Sequence, residues 1–454
     1  MFGSGRAILS LRESYRHDLK SVKAVTDFSY VRFHAIFHDE VGFYGVDAQG
    51  KPQYNYSYID QIYDGLLENG VRPFVEFSFM PRALSSSDHL HAFWYSLLPN
   101  PPKSYDQWGD LVYNFTRHLV ERYGVEEVAQ WYFEVWNEPN IDFWTGKPAQ
   151  STYFELYDAA ATAVKRVNPR LRVGGPSTAQ AAWVDAMIAH ATDKHVPLDF
   201  VSTHVYANDS AADVFGTHES IPRSEMVARS VRKVYDQVKR SPRTDLPIIW
   251  SEYNASYKNE PEVTDAAFMG PWLANNIRQC DGLQTMMSYW TFSDVFEEQG
   301  VGKTPFYGGF GLMAADSIPK ASFNAFALLH ELGTARIPMD TPWALATKRS
   351  DGSLAIAVWN YAAPEDKGQS ETIHLSIAEA PGSHRVRIQA VDDEHGSPLP
   401  AWRSMGQPAF PSHEQIVKLR EAARLPAPET RSLSAAGIDL RLGTHALVLV
   451  EVIR

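Results

Sequence analysis

The sequence has only one cysteine among 454 residues, Cys280, which excludes an intrachain disulfide and a cysteine-based metal site. We interpret Cys280 as a small buried apolar residue. The sequence also lacks an apolar run of about 18 residues, so we predict no membrane-spanning helix. The apolar stretch within residues 1–12 is too short for the core of a signal peptide. We therefore predict a cytoplasmic protein, with a periplasmic or secreted location left open for a chain whose leader has been removed.

Positive charge is scarce as well. The chain has 42 Lys and Arg against 54 Asp and Glu, a formal net charge of -12, and no block of basic residues offsets it. Such a surface repels nucleic acid and anionic membranes, so we expect neither as a partner. A neutral substrate fits such a surface better than an anionic one, and homo-oligomerisation stays open.

Short β-like runs alternate with helical patterns as far as about residue 330. Eight strands separated by helices are typical of the α/β class and of the (β/α)8 TIM barrel, whose active site lies at the C-terminal ends of its strands. We predict this barrel over residues 1–333. Its clear strands are 30–36, 72–78, 131–136, 171–176, 200–204, 248–252 and 286–290, and a weaker run at 7–11 supplies the first strand.

Helix start and stop signals lie between these runs. Ser104 precedes a helical pattern that Gly124 ends, and Thr152 with Glu155 form a capping-box pattern for the next helix.

The pattern changes beyond residue 333. Hairpin residues Asp351-Gly352 separate strand-like runs at 344–347 and 354–359, and further runs occupy 372–377, 386–391, 438–442 and 446–453. Ser412 and Gln415 cap a helix predicted over 413–424. We predict a C-terminal β-sandwich accessory domain over residues 334–454.

Two glutamates, Glu138 and Glu252, lie at the ends of the fourth and seventh predicted strands. Glycoside hydrolysis uses such a pair, one carboxylic acid to protonate the leaving oxygen and one carboxylate to attack the anomeric carbon. Other strand ends carry polar or aromatic groups that converge on the same mouth of the barrel, as a binding site requires. These groups are His34, Asn137, His204, Tyr206, Trp290, Glu297 and Glu298.

Several motifs together resemble glycoside hydrolase family 39, which holds β-xylosidases and α-L-iduronidases. One position departs from the family, because its usual Arg-Phe-His-Gly ends here in Ala35. The matching motifs are Arg32-Phe-His-Ala35, Trp136-Asn-Glu-Pro-Asn140, Thr203-His-Val-Tyr206, Trp250-Ser-Glu-Tyr-Asn254, Tyr289-Trp-Thr-Phe-Ser-Asp-Val-Phe-Glu-Glu298, Gly308-Gly-Phe-Gly-Leu-Met313 and Ile318-Pro-Lys320.

The resemblance implies that Glu138 is the general acid/base and Glu252 the nucleophile of a retaining hydrolase that needs no metal or other cofactor. It also implies that Asn137 binds the sugar 2-hydroxyl. The remaining substrate-binding candidates are Tyr253 or Tyr206 to orient Glu252, Trp290 with Phe143 or Trp144 as platforms for the sugar ring, and the histidines at 34 and 204.

Charge decides between the substrates of this family. Glu297 and Glu298 at the rim repel a uronic acid and accept hydrogen bonds from neutral hydroxyls. We therefore predict an exo-acting β-D-xylosidase that releases xylose from short xylo-oligosaccharides. The alternatives are an α-L-iduronidase or an arabinosidase of the same stereochemistry and, in a different class, a non-catalytic carbohydrate-binding protein.

Overall fold

A closed barrel of eight parallel strands forms the centre of the computed structural model, which describes residues 1–376, 384–434 and 437–453. Each strand pairs with its sequence neighbours, and the first strand closes the barrel against the last. The predicted TIM barrel is therefore confirmed. The strands are β1 Phe2–Gly3, β2 Tyr30–Arg32, β3 Arg72–Phe77, β4 Tyr132–Val135, β5 Arg172–Thr178, β6 Phe200–Tyr206, β7 Ile248–Asn254 and β8 Met286–Tyr289.

A long helix follows each barrel strand. These helices are α1 Glu13–Thr26, α2 Ser57–Leu67, α3 Tyr105–Tyr123, α4 Ala149–Val167, α5 Val184–Lys194, α6 Met226–Arg240, α7 Met269–Cys280 and α8 Ala321–His330. The side chain of Ser104 caps α3 by accepting from the Gln107 N–H, and Gly124, with φ 81°, follows its last residue as predicted.

The predicted capping pair of α4 is wrong. This helix begins at Ala149, directly after Pro148, so Thr152 and Glu155 lie inside it. The Thr152 hydroxyl donates to the carbonyl of Pro148 at 2.8 Å, one helical turn back, and does not cap the helix.

The prediction of a first strand at residues 7–11 is also wrong, because Ala7–Leu11 forms a 3-10 helix. Phe2–Gly3 is the first strand instead, and Phe2 pairs with both Val31 and Tyr289. A strand of two residues shows no alternation of apolar and polar positions, so its sequence signal is weak.

Strands β6 and β7 are buried along their whole length. In a parallel barrel the outer face of each strand is covered by helices and the inner face by other strands, which explains the near-continuous apolar runs in the sequence. Any ionisable group at the end of such a strand is held in a largely dry environment and needs a partner.

Antiparallel sheets occupy the C-terminal part of the chain. Six strands pair in the order β9-β10-β11-β16-β13-β14, and β12 pairs with β15. Their facing side chains form one apolar cluster, which makes a β-sandwich. The strands are β9 Ala335–Ile337, β10 Ala344–Lys348, β11 Leu354–Trp359, β12 Glu371–Leu375, β13 His384–Val391, β14 Glu429–Leu433, β15 Ile438–Leu442 and β16 Leu447–Ile453.

Two further helices, Leu399–Ser404 and His413–Ala422, lie between β13 and β14. The second has the predicted capping box of Ser412 and Gln415. The last residue of the strand predicted over 372–377, Ile377, lies outside the described residues.

Shorter elements complete the chain. They are the paired segments Tyr44–Val46 with Pro52–Tyr54 and Met313–Ala314 with Ile318–Pro319, and the helical turns Asp39–Val41, Val125–Val128, Ala179–Ala181, Ala211–Phe215, Pro261–Thr264 and Ala315–Ser317. Within the described ranges, every helix is too short or too polar to cross a lipid bilayer.

Candidate active site

The strand ends of the barrel surround a cavity of about 390 Å³, within the size range of small-molecule sites. Its wall combines carboxylic acids, histidines and aromatic rings. The lining residues are His34, His91, Phe93, Asn137, Glu138, Ile141, Asp142, Phe143, Ala179, Gln180, Tyr206, Asp209, Glu252, Tyr257, Trp290, Glu298, Gln299 and Phe310.

The backbone turns sharply where β4 ends. Trp136 and Glu138 have φ values of 71° and 44°, in the left-handed region that residues other than glycine rarely adopt. The Glu138 N–H donates to the carbonyl of Ser177 at 2.7 Å, which ties this turn to the end of β5. The turn places the neighbouring side chains of Asn137 and Glu138 in the cavity wall.

The carboxyl groups of Glu138 and Glu252 approach each other closely. One oxygen of each, together with a ring nitrogen of His204, form a group in which all atoms lie within 4.8 Å of one another. His204 Nδ1 is 2.9 Å from Glu138 Oε1 and 3.7 Å from Glu252 Oε1. A retaining glycosidase has its two carboxyl groups about 5–5.5 Å apart, and an inverting enzyme about 6.5–9.5 Å.

A fully buried arginine lies beneath these carboxylates. Arg32 Nη1 donates to Glu252 at 2.7 Å, Nε donates to Glu134 at 2.6 Å, and Nη2 is 2.6 Å from Glu76. Nη2 also donates to Asn137 Oδ1 at 3.0 Å, so the NH2 group is the part of the Asn137 amide that Arg32 does not bind. Arg32 thus supplies the positive charge that a metal ion would bring to such a group of carboxylates.

Two more side chains approach Glu252 from the cavity. Tyr206 Oη donates to Glu252 Oε2 at 2.6 Å, and His34 Nε2 lies 3.6 Å from Oε1. The ring of His34 is 4.7 Å from that of Trp290, which forms the adjoining wall. Glu252 is therefore held by several groups that favour its ionised form.

Burial is the main cause of a raised pKa at both glutamates, but their charged and hydrogen-bonding neighbours differ. Burial, and then the charge of Glu252, raise the pKa of Glu138 well above its ordinary value. Burial also raises the pKa of Glu252, but Arg32, His34 and Tyr206 oppose that rise. The pKa of Glu138 is thus raised further than that of Glu252, which is the order that a pair of one acid and one carboxylate nucleophile requires.

Eight of the twelve predicted site residues line the cavity: His34, Asn137, Glu138, Phe143, Tyr206, Glu252, Trp290 and Glu298. His204 is fully buried behind Glu138 and contacts it directly.

Two predicted aromatic residues lie outside the cavity. Trp144 packs against Trp136, with ring centroids 5.1 Å apart, and its Nε1 donates to Thr152 of α4. Tyr253 stacks on Trp272 of α7 at 6.0 Å. Neither can serve as the predicted sugar platform or orienting group, because each side chain is committed to the packing of a barrel helix.

Glu297 also points away from the cavity. Its carboxylate accepts hydrogen bonds from Arg12 and lies 3.5 Å from Arg6 Nη1. The prediction that Glu297 contacts sugar hydroxyls is therefore not supported by its position, while Glu298 next to it does line the cavity.

Sequence reasoning missed the buried charges beneath the site, Arg32, Glu76 and Glu134. All three are fully buried. Their signal was available, because each is a charged residue with apolar neighbours in a barrel strand, where burial demands a partner. The loop residues of the cavity wall, such as Gln180 and Tyr257, carried no comparable signal.

Comparison with known proteins agrees with the geometry. The model of Glycosyl hydrolases family 39 matches residues 1–439. A β-xylosidase of Geobacillus stearothermophilus is 36% identical, over 99% of this chain and 91% of its own. A β-xylosidase of Caldicellulosiruptor saccharolyticus is 34% identical, over 99% and 94%.

A solved structure supports the same assignment. The crystal structure of a monomeric β-xylosidase from Caulobacter crescentus superposes with a TM-score of 0.89 at 34% identity, covering 99% of this chain and 95% of that one. The chain is therefore a glycoside hydrolase and belongs to glycosyl hydrolases family 39.

Proposed function

We propose that the protein is a retaining, exo-acting β-D-xylosidase that releases xylose from short xylo-oligosaccharides. The observation that carries this proposal is the pair Glu138 and Glu252, whose oxygens lie within 4.8 Å at the ends of β4 and β7 and whose surroundings favour opposite protonation states. The β-xylosidase activity of the two relatives supports the choice of substrate.

In the first step the Glu252 carboxylate attacks the anomeric carbon while Glu138 gives its proton to the leaving oxygen. Glu252 then becomes a neutral ester, and loss of its charge lowers the pKa of Glu138. Glu138 is thereby ready to take a proton from the water that hydrolyses the ester in the second step. The product keeps the β configuration.

The cavity wall offers a binding position for one xylose residue. The free amide NH2 of Asn137 donates to the sugar 2-hydroxyl, and the ring of Trp290 forms a platform for the sugar. His34 and Glu298 lie on the same side, with His34 Nε2 3.9 Å from Glu298 Oε1, and bind further hydroxyls.

A neutral sugar fits the charges of this wall. None of the cavity-lining residues, all within the described part of the chain, is Lys or Arg. A uronic acid would bring a carboxylate to a wall without an exposed cation. This favours β-xyloside over α-L-iduronide.

The domain assignment remains part of the proposal. We assign residues 1–333 to the catalytic barrel and residues 334–454 to an accessory domain, whose described residues contribute nothing to the cavity wall.

The roles of the glutamates can be tested with aryl β-xylosides. Glu252→Ala should lose all measurable turnover, because no covalent intermediate forms. Glu138→Ala should keep the first step for substrates with good leaving groups and accumulate glycosyl-enzyme, because the second step lacks its base. Azide should restore turnover of Glu138→Ala and give the β-configured azide.

A matched control is Glu121→Ala, which removes an exposed glutamate of α3 and should leave all rates unchanged. An α-configured azide from Glu138→Ala would reverse the two roles. A higher kcat/KM on α-L-iduronide or an α-L-arabinoside than on β-xyloside would overturn the proposed specificity.

A further inference from the structure

A chain of buried polar groups runs from Glu138 away from the cavity. Glu138 Oε1 lies 2.9 Å from His204 Nδ1, and His204 Nε2 lies 3.1 Å from Ser251 Oγ. Ser251 Oγ donates to Glu134 Oε1 at 2.6 Å. The other oxygen of Glu134 accepts from Arg32 Nε at 2.6 Å, so the chain ends at a paired carboxylate.

The directions of these hydrogen bonds follow from the number of protons available. Ser251 has one hydroxyl proton, and the ionised carboxylate of Glu134 is its strongest acceptor. The Ser251 oxygen must then accept from His204, so Nε2 carries the ring proton. Burial and the charge of Arg32 keep the pKa of His204 well below its usual value, so the ring has no second proton.

A second hydroxyl near the same nitrogen agrees with this direction. Ser177 Oγ lies 3.4 Å from His204 Nε2 and accepts from Arg32 Nη2 at 3.2 Å. It is the more distant of the two partners, and its oxygen too can accept from an Nε2 proton.

We propose that Ser251 and Glu134 are positioning residues that fix neutral His204 as the Nε2–H tautomer, so that its bare Nδ1 accepts a hydrogen bond from the carboxylic acid of Glu138. The inference rests on the proposed function, in which Glu138 is the acid/base. In the first step His204 holds the acid proton on Glu138 until the leaving oxygen becomes the better acceptor. In the second step it gives no N–H to the Glu138 carboxylate, which therefore stays strongly basic toward water.

Other charges also act on Glu138. Glu252 on β7, Asp209 after β6 and Glu298 after β8 favour the protonated acid, and Arg32 on β2 opposes it. His204 itself faces Arg32 and His34. All of these charged groups remain when Ser251 is changed, but Glu134, which Arg32 also binds, loses the hydrogen bond from Ser251, so the tautomer of His204 is also read directly by NMR.

The test is Ser251→Ala. Without the serine, Nε2 loses its nearer acceptor and keeps only the Ser177 hydroxyl at 3.4 Å, so His204 can more easily move its proton to Nδ1 and donate to the Glu138 carboxylate. That bond stabilises the ionised form, so the basic limb of the kcat/KM–pH profile on aryl β-xyloside should move down by about 0.5–1 pH unit. Ser251→Thr, which keeps a hydroxyl, should restore the wild-type profile.

Ser288→Ala is the matched control, because Ser288 is equally buried on the neighbouring strand β8 and, within the described residues, its Oγ has no hydrogen-bond partner. Its profile should not move. An unshifted profile in Ser251→Ala, or the same shift in Ser288→Ala, would overturn the inference.

The tautomer can also be read directly in the wild-type enzyme, by ¹⁵N NMR of labelled histidine with His204→Gln used for assignment. We expect a protonated Nε2 and a bare Nδ1 in the wild type. A protonated Nδ1 would refute the inference even if the enzyme hydrolyses β-xylosides. Absence of β-xylosidase activity together with the expected tautomer would instead refute the proposed function.

Discussion

Glu297 and Glu298 are adjacent in the sequence but have different environments. Glu298 lines the cavity, and burial together with Glu252 and Glu76 raises its pKa well above the ordinary value. Glu297 accepts a hydrogen bond from Arg12, which directly precedes α1. This bond connects the start of α1 to the loop after β8. Glu298 therefore faces the cavity, and Glu297 stabilises the loop that carries Glu298.

These environments predict opposite effects of alanine substitution. Glu298→Ala should lower kcat/KM on aryl β-xyloside, because sugar hydroxyls lose a partner in a largely dry site. We expect a loss of transition-state stabilisation of about 1–2 kcal/mol and little change in melting temperature. Glu297→Ala should lower the melting temperature and act as the control. Wild-type kinetics in Glu298→Ala would show that it does not bind the sugar.

How much of the site the sequence predicts depends on where each residue lies. Glu138 and Glu252 are recognisable because each ends an apolar strand. Tyr253 lies outside the cavity because successive side chains of a strand point to opposite faces. Glu252 faces the cavity, so its neighbour Tyr253 must face the helices. Alternation alone thus places Tyr253 against α7. The loop residue Glu297 follows no such period, and only the folded chain shows its bond to Arg12.

At the scale of elements, strands with several buried residues are predictable and β1 is not. Phe2–Gly3 has only two residues, and its position is fixed by pairing with Val31 on one side and Tyr289 on the other. Long-range pairing of this kind is absent from local sequence. The apolar residues of Ala7–Leu11 that suggest a strand are used by a 3-10 helix, in which Ala7 and Leu9 are buried.

Strand β1 also determines the position of Trp290. A Cβ atom added to Gly3 would overlap the six-membered ring of Trp290, so only glycine allows the ring to lie against this strand. Gly3→Ala should therefore displace the platform and lower kcat/KM on β-xyloside at least about tenfold, which corresponds to about 1.4 kcal/mol.

The matched control is Gly45→Ala. A Cβ at Gly45 would meet nothing within 4 Å, so this variant should keep wild-type kinetics. Tryptophan fluorescence of Gly3→Ala would report the altered environment of the ring. Unchanged kinetics in Gly3→Ala would show that the contact with β1 does not hold Trp290 in its working position.

At the scale of the whole molecule, one side of the sandwich packs into the apolar cluster of the barrel, in addition to the cluster between its own sheets. Trp359, Val391 and Leu447 belong to the same buried cluster as the barrel helices, and a Cβ at Gly270 of α7 would lie 3.1 Å from Leu447. The sequence predicts two regions from their different patterns, but patterns cannot show that the two regions pack together. The proposed accessory domain thus completes the burial of α7.

The Arg32 cluster has a consequence for the stability of the whole fold. One guanidinium serves Glu76, Glu134 and Glu252, so three carboxylates share a single buried cation. Burial makes the pKa of Glu252 higher in the folded chain than in the unfolded one. Ionisation of Glu252 therefore weakens the fold progressively as the pH rises from the unfolded pKa to the folded pKa.

A variant with a neutral side chain at position 252 should therefore melt at a higher temperature than the unsubstituted protein. Glu252→Gln keeps an oxygen for Arg32 and removes the surplus charge, and we expect a gain of about 1–2 kcal/mol at pH 7 that disappears near pH 4. Thermal unfolding at both pH values measures it, and an equal or lower melting temperature at pH 7 would contradict it. If Glu252 is the nucleophile that we propose, the barrel is least stable when the buried carboxylate is ready to react, and formation of the neutral ester removes that buried charge in each catalytic cycle.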